Sequence, residues 1–480
     1  MANLRAIARR VMHEEGFAPD LPAEAEAEAQ RTAPWRPAPG EARRDLRALL
    51  WSSIDNPDSR DLDQIEVAEQ LPGGAIRVLV GIADVDALVP AGSPIDRHAA
   101  ANATSVYTGV AVFPMLPDQL SAGLSSLLPG EDRPAVVAEL VVAEDGALQS
   151  SAVYPAIVRN HAKLDYEAVG AWLEGGALPD SVAALPGLEG QLRLHDEATE
   201  RLHELRVRNG ALDFETIEAR VVADDGDVVD LRVLHKNRAR YLIESLMIAA
   251  NGVMARLLED AGRPSIQRIV RTPARWPRIA ELAAELGARL PAEPDPRALA
   301  RFLAERQRAD PERFPDLSLA VVKLLGSGEY ALVEPGADHS GHFGLAVADY
   351  THATAPNRRY ADVVIQRLVK ALLASAPAPY APDELAALAA HCTERDKAGK
   401  KVERRMRKYA AVALMRDRVG GVFDAIVTGA AAKGTYVRLL SPPVEGRVVR
   451  GEEGMDVGDH VRVRLVGTDA ARGFIDFARA

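Results

Sequence analysis

Four aspartates fall within Ser53-Ile54-Asp55-Asn56-Pro57-Asp58-Ser59-Arg60-Asp61-Leu62-Asp63-Gln64, just ahead of an apolar run. Carboxylates this close in sequence repel one another unless a cation or a set of hydrogen-bond donors compensates them. An all-oxygen set suits magnesium, with manganese as the alternative, because such ions keep waters and complete their shells with substrate phosphate. The competing reading is a solvated acidic loop. A calcium EF-hand does not fit, since Pro57 and Arg60 stand where that loop needs a ligand and a glycine.

A second stretch, DYTHATAPNRRYADVV, offers cations. Thr354 is placed to cap a helix whose first position is Pro356, which sends Arg358 and Arg359 out from its first turns. Cations there oppose the helix dipole unless an anion shares that end, and a phosphate is the natural one. Pairing of Arg358 with Asp362 is the alternative. Glu244 lies within the apolar LIESLMIAAN, either at a helix's polar edge or as a placed carboxylate. His339, His342 and His352 match no helical zinc spacing, and glycines intervene.

The elements that must carry these residues can be read from periodicity. Leu4, Ile7, Ala8, Val11 and Met12 repeat with helical spacing up to Gly16, LPAEAEAEAQ suggests a second helix, and TAPWRPAPG a linker. Such a pair serves as a cap or as a helix-turn-helix. AIRVLVGIADVDALV predicts a buried strand or two, and Ser93-Pro94 opens a helix. Helices follow over about 165–173, 191–207, 237–258 and 382–418, with a proline-punctuated excursion over 291–315. The middle of the last helix, ERDKAGKKVERRMRK, is basic, either a solvated face or the wall of a nucleic-acid channel. From Gly421 onward, VFDAIV, GTYVRLL, VEGRVV, HVRVRLV and GFIDFA describe a five-stranded OB-type barrel. Phe423 and Tyr436 on it are stacking platforms for bases or parts of its core. The expected architecture is an α/β (α+β) body over 41–418, a helical module over 1–40 and an all-β barrel over 419–480.

The 480 residues allow roughly two to four domains, and 48% hydrophobic with 26% charged residues is ordinary globular composition. A net charge of -11 argues against a surface coated with DNA-binding charge but leaves room for a local basic channel. Cys392 is the single cysteine, so neither an internal disulfide nor a thiolate zinc site is encoded. The N-terminus lacks signal-peptide character, and no charge-free run of about 18 apolar residues occurs, so the cytoplasm is the expected compartment.

Together these stretches resemble the ribonuclease II family: a catalytic RNB domain followed by an OB fold of the ribosomal-S-one type, from about residue 44 to 480. SIDNPDSRDLDQ looks like the family's metal-binding signature, with Asp55, Asp61 and Asp63 at matching positions. YTGVAVFPMLP, RPAV, AKLDYEAV and RNGALDF follow in the family's order. Tyr107 and Tyr166 match tyrosines near the end of the bound RNA, Glu244 the first of two adjacent glutamates, and Arg358 the catalytic arginine.

The resemblance implies a 3′ to 5′ hydrolytic exoribonuclease that binds single-stranded RNA as a monomer, with no membrane association, and releases nucleoside 5′-monophosphates. Asp55, Asp61 and Asp63, assisted by Gln64, would hold one or two magnesium ions, and Glu244 would contact a 2′-hydroxyl. Two departures stand out. Gln64 occupies the place of a second consecutive aspartate, and Ser245 that of the second glutamate. The cold-shock barrels usual in bacterial relatives do not fit before Asp45. The alternatives are a catalytically weak or silent RNA-binding relative and a metal-dependent phosphodiesterase acting on DNA.

Overall fold

Capping chemistry fixes several of the element ends in the computed structural model, which describes residues 3–37, 41–215, 218–224, 227–234, 236–311, 313–337, 341–431, 434–470 and 472–480. Asn3 caps α1 (Leu4–Glu14), and α2 (Ala23–Arg31) follows. Strands β1 (Arg44–Asp45), β2 (Trp51–Asp55), β3 (Gln64–Gln70) and β4 (Ile76–Ala83) come next. AIRVLVGIADVDALV supplies one strand rather than two, because the Asp84 side chain caps a single 3-10 turn over Val85–Ala87. Ser93 then caps α3 (Pro94–Asn102).

The short hairpin β5 (Val106–Tyr107) and β6 (Val112–Phe113) precedes the long strands β7 (Asp132–Val142) and β8 (Leu148–Asp165). The Asp165 carboxylate accepts from the amides of Glu167 and Ala168 and so starts α4 (Tyr166–Leu173) at the residue where β8 ends. A short α5 (Asp180–Ala183) and α6 (Leu188–Asn209) lead to the hairpin β9 (Glu218–Asp224) and β10 (Asp227–Leu234). Asn237 caps α7 (Arg238–Asp260) and donates to the Tyr166 carbonyl at 2.9 Å, tying α7 to α4. Gly170 makes that approach feasible, since a Cβ there would stand 2.6 Å from the Asn237 side chain.

Strand order β1-β8-β2-β3-β4-β7 closes on itself, because β8 pairs with β7 along most of its length and with β2 at its end. One sheet face packs Trp51, Leu62, Ile65, Val67 and Leu79. The other meets α3, α6, α7 and α11 (Tyr360–Leu373) through a larger core that includes Ile54, Val78, Ile82, Leu242, Leu246 and Val364. Helix α7 is long and apolar enough to cross a membrane by length and composition, yet 67% of its apolar window is buried, as in a core helix. Strand β11 (Ser265–Ile269) pairs with β12 (Glu329–Val333). Between them α8 (Trp276–Glu285), α9 (Pro296–Ala309) and α10 (Phe314–Leu325) build a small cluster around Trp276 and Phe302.

Helix α12 (Pro382–Met415) joins this body to a closed barrel, β13 (Val422–Ala431), β14 (Gly434–Leu439), β15 (Glu445–Arg450), β17 (Phe474–Arg479) and β16 (His460–Asp469), in that strand order. The protein is therefore mixed α/β with a helical N-terminal module and a five-stranded terminal barrel. The apolar side of α1 is spent on α12 and the β5–β6 hairpin, with Val11, Met12 and Phe17 against Val106, Phe113, Val402 and Met406. That is the behaviour of a cap. The basic stretch of α12 is partly spent there too. Lys401 and Arg405 bind the Glu15 carboxylate, and Arg395 donates to the Glu15 and Gly16 carbonyls.

Burial also leaves a titratable signature. His195 in α6 is 1% exposed with Nε2 unpartnered, and burial pushes its pKa down to about 4. Between its ordinary pKa of about 6.5 and that value the unfolded chain binds a proton that the folded chain refuses, so stability falls with falling pH, by about 2 kcal/mol at pH 5. Urea midpoints at pH 8 and pH 5 should differ by less in His195→Gln than in the parent. An equal difference in both would show that the imidazole is not the source.

Candidate active site

Two segments distant in sequence meet at Asp63. Its carboxylate is 3% exposed, accepts from the Asn357 amide at 2.9 Å, and faces the Arg358 Nε at 3.3 Å. Burial pushes the Asp63 pKa up to about 7 against the opposing pull of Arg358, and the nearby Asp61 adds to the rise. Asp55, the last residue of β2, accepts from the Ser59 hydroxyl and, at 2.8 Å, from the Asn56 amide. Its pKa is raised by burial and by Asp61. Asp61 accepts from the Tyr107 hydroxyl at 2.9 Å. The structure thus brings Asp55, Asp61, Asp63, Tyr107 and Arg358 together.

Serines build the frame. The Ser126 hydroxyl donates to the Arg60 carbonyl at 2.7 Å and accepts from the Leu62 amide at 2.9 Å, while Ser125 donates to the Asn357 side-chain oxygen at 2.6 Å. Adjacent buried hydroxyls therefore hold both the aspartate turn and the arginine turn. Lys163 closes the other side by donating to the Pro57 and Ser59 carbonyls. Neither serine was marked by the motif reading. The signal was a polar pair inside an apolar run, SAGLSSLLP.

Arg358 does not project from a helix. The segment from Pro356 to Arg358 is a turn, and α11 starts only at Tyr360. The turn is bonded to the chain before β5 instead, where the Ser105 amide donates to the Arg358 carbonyl at 3.0 Å and the Tyr360 amide to the Ala103 carbonyl at 2.9 Å. Arg359, expected as an RNA contact, forms a bidentate pair with buried Asp362 at 2.7 and 2.9 Å. Asp362 is thus taken by Arg359, which leaves Arg358 to Asp63.

The other expected contacts are scattered. Tyr166 opens α4 beside Asp55, with the Arg240 guanidinium 4.5 Å from its ring centre. Glu244 is half exposed and ion-paired with Lys236 at 2.8 Å. Ser245 is buried and accepts from Arg206 at 3.0 Å. On the barrel Tyr436 is 44% exposed, whereas Phe423 is partly buried against the apolar cluster shared with α12. Asp58 pairs with Arg220 and stands outside the group. His342 accepts from the Leu345 amide and His352 meets the Tyr330 hydroxyl at 2.8 Å, while His339 lies outside the described residues.

A hard divalent cation fits the donor chemistry of Asp55, Asp61, Asp63 and Gln64, all oxygen ligands, and it would relieve the raised pKa values of Asp55 and Asp63. Among the described residues no three acids, histidines or cysteines are already gathered as a ligand group. Asp55 and Asp61 instead turn an oxygen toward protein donors. One more acid stands here. Glu66 on β3 is 2% exposed, and its pKa is raised well above the ordinary range by burial and by Asp55.

A closed α/β body followed by a small five-stranded barrel is the domain order of one nuclease-type family. The chain belongs to it: residues 43–375 match the RNB domain, and residues 421–480 match the RNase II-type exonuclease C-terminal S1 domain. It is 33% identical over 454 residues to Ribonuclease R of Escherichia coli (strain K12), covering 90% of this chain and 54% of that protein. With Ribonuclease R of Aquifex aeolicus it shares 30% identity over 463 residues, 91% of this chain and 64% of the relative. The chain thus spans about half to two thirds of the length of these relatives. The fold also matches Mycoplasma genitalium RNase R in complex with ribose methylated single-stranded RNA, at TM-score 0.89 and 22% identity over 100% of this chain and 78% of that one. Yeast Ssd1, a pseudonuclease, matches at TM-score 0.73 and 16% identity over 95% and 56%.

Proposed function

We propose that the protein is a 3′ to 5′ hydrolytic exoribonuclease that acts on single-stranded RNA and releases nucleoside 5′-monophosphates, with residues 41–418 as the catalytic unit and 419–480 as an RNA-binding barrel. The observation that carries this reading is the meeting at buried Asp63 of the aspartate turn and the Arg358 turn, with Tyr107 on Asp61 beside them. Relatives named Ribonuclease R, at 33% and 30% identity, support it.

Each residue then has a task. Asp55, Asp61 and Asp63, with Gln64, hold magnesium or manganese; when bound, such an ion lowers the pKa of water and neutralises phosphoryl charge. Arg358, half exposed, offers its guanidinium to the scissile phosphate. Tyr107 and Tyr166 give the terminal bases their stacking surfaces, and exposed Tyr436 extends the track across the barrel. Glu244, if it is to read a 2′-hydroxyl, must first part from Lys236.

The test is a time course on single-stranded RNA with magnesium and with EDTA, using uniformly labelled RNA to score mononucleotides and 5′-labelled RNA to score direction. Release of 5′-monophosphates from the 3′ end only with metal supports the reading. RNA that is bound and left intact favours the silent relative, for which the uncharged Gln64 speaks, and faster loss of DNA of the same sequence favours the DNA phosphodiesterase. Tyr107→Ala should weaken binding of a short RNA by about 1–3 kcal/mol, the usual worth of one stacked base, as read by fluorescence anisotropy. An unchanged affinity would remove that tyrosine from the RNA track.

A further inference from the structure

Gln64 leaves the aspartate group one charge short, and the same strand carries an acid two residues on. Side chains alternate along a strand, so Gln64 and Glu66 lie on one face of β3. The next position on that face, Ala68, belongs to the apolar core, which makes a carboxylate at 66 the exception in its row. Glu66 is 2% exposed and its Oε1 has no hydrogen-bond partner. Its charged neighbour is Asp55, and Tyr166 lies close to both. A buried carboxylate without a partner is costly, and a second carboxylate beside it adds to the cost, unless a cation is shared between them.

We infer that Glu66 supplies the carboxylate that Gln64 lacks, and that together with Asp55 it ligates the divalent cation of this site. The inference rests on the reading of Asp55, Asp61 and Asp63 as metal ligands. In the β2–β3 register Glu66 stands opposite Ser52, on the side of β3 that also carries Gln64. The role of Gln64 is then reduced to that of a neutral neighbour.

The test is binding of Mn2+ to the full chain without RNA, read by calorimetry and by the loss of the free-ion paramagnetic resonance signal. Glu66→Gln should weaken binding about tenfold or more, because ligand charge sets affinity, whereas Gln64→Ala should cost less than about threefold. Glu66→Gln combined with Gln64→Asp should regain most of the loss. If Glu66→Gln binds Mn2+ like the parent while Asp55→Asn does not, the inference is wrong and the aspartate site stands. If neither change matters, the aspartate site itself is misread and the inference falls with it. Gln64→Asp in the otherwise unchanged chain decides the matter should Glu66→Gln not fold. A gain below about threefold means that the charge is already present, and a gain of tenfold or more overturns the inference.

Discussion

Asp63→Asn is expected to lower turnover of single-stranded RNA by about a thousandfold or more, and to leave the metal-free protein at least as stable as its parent at pH 8. The first effect follows from position. Asp63 is the acid of the aspartate turn that binds the arginine turn, through the Asn357 amide and Arg358. Asparagine keeps an oxygen for the amide but loses the charge that a cation and the arginine would share. The second effect follows from burial. With a folded pKa of about 7 against about 3.9 unfolded, the unfolded chain binds fewer protons between those values, so stability falls as pH rises through that window, by up to about 4 kcal/mol. Removing the carboxylate removes that loss. Thermal melts should show the advantage of the variant at pH 8, its shrinkage toward pH 5, and its reversal when magnesium binds and stabilises only the parent. Full turnover in the variant would sink the assignment. A variant less stable than the parent at pH 8 without metal would show that the carboxylate is held by compensation other than a missing cation.

How much of this could be read from sequence depends on whether the signal was local. The barrel strands, the Ser93 cap and the helix beginning after Asp165 were legible, because a cap, a glycine-bounded alternation and an apolar period are all written within a few residues. Tyr107 came only from family resemblance, and the spacing marked Arg358 as a phosphate-facing cation without saying what it meets, since the meeting with the aspartates runs through the pairing of the 103–105 segment with the 358–360 segment. The pairing of Arg359 with Asp362 was hidden for the same reason. Asp362 was within view, but which of two adjacent arginines turns inward is set by where α11 begins, and the bonds to Ala103 and Ser105 delay that start to Tyr360. Phe423 packs partly against the cluster shared with α12, a tertiary fact absent from its own strand. Glu66 was legible in principle, as the first of the two acids in QIEVAEQ, but an acid in a strand reads as its solvent face until the sheet closes over it.

Arg358→Ala should reduce kcat by about a hundredfold to a thousandfold while the Kd for single-stranded RNA changes by less than about threefold. In the free protein the arginine sets its Nε 3.3 Å from Asp63 and its side chain is 45% exposed, so the guanidinium can swing to an incoming phosphate at small cost. Its ground-state contribution to binding is that of one exposed cation among many. Its worth lies in charge that develops on the phosphoryl oxygens, where a planar donor pair is matched geometrically as well as electrostatically. Arg358→Lys should therefore recover only part of kcat, since charge returns without the bidentate fork. The same substitution has a second readout. Arg358 lowers the pKa of Asp63, so its removal lets burial drive that carboxyl above about 7 in the metal-free protein. A proton then competes with the cation at neutral pH. The magnesium concentration for half-maximal activity should rise in Arg358→Ala at pH 7 and return toward the parent value at pH 9. Equal losses in kcat and RNA affinity, with no pH-dependent change in magnesium requirement, would reduce Arg358 to a binding residue and break the link between the two turns.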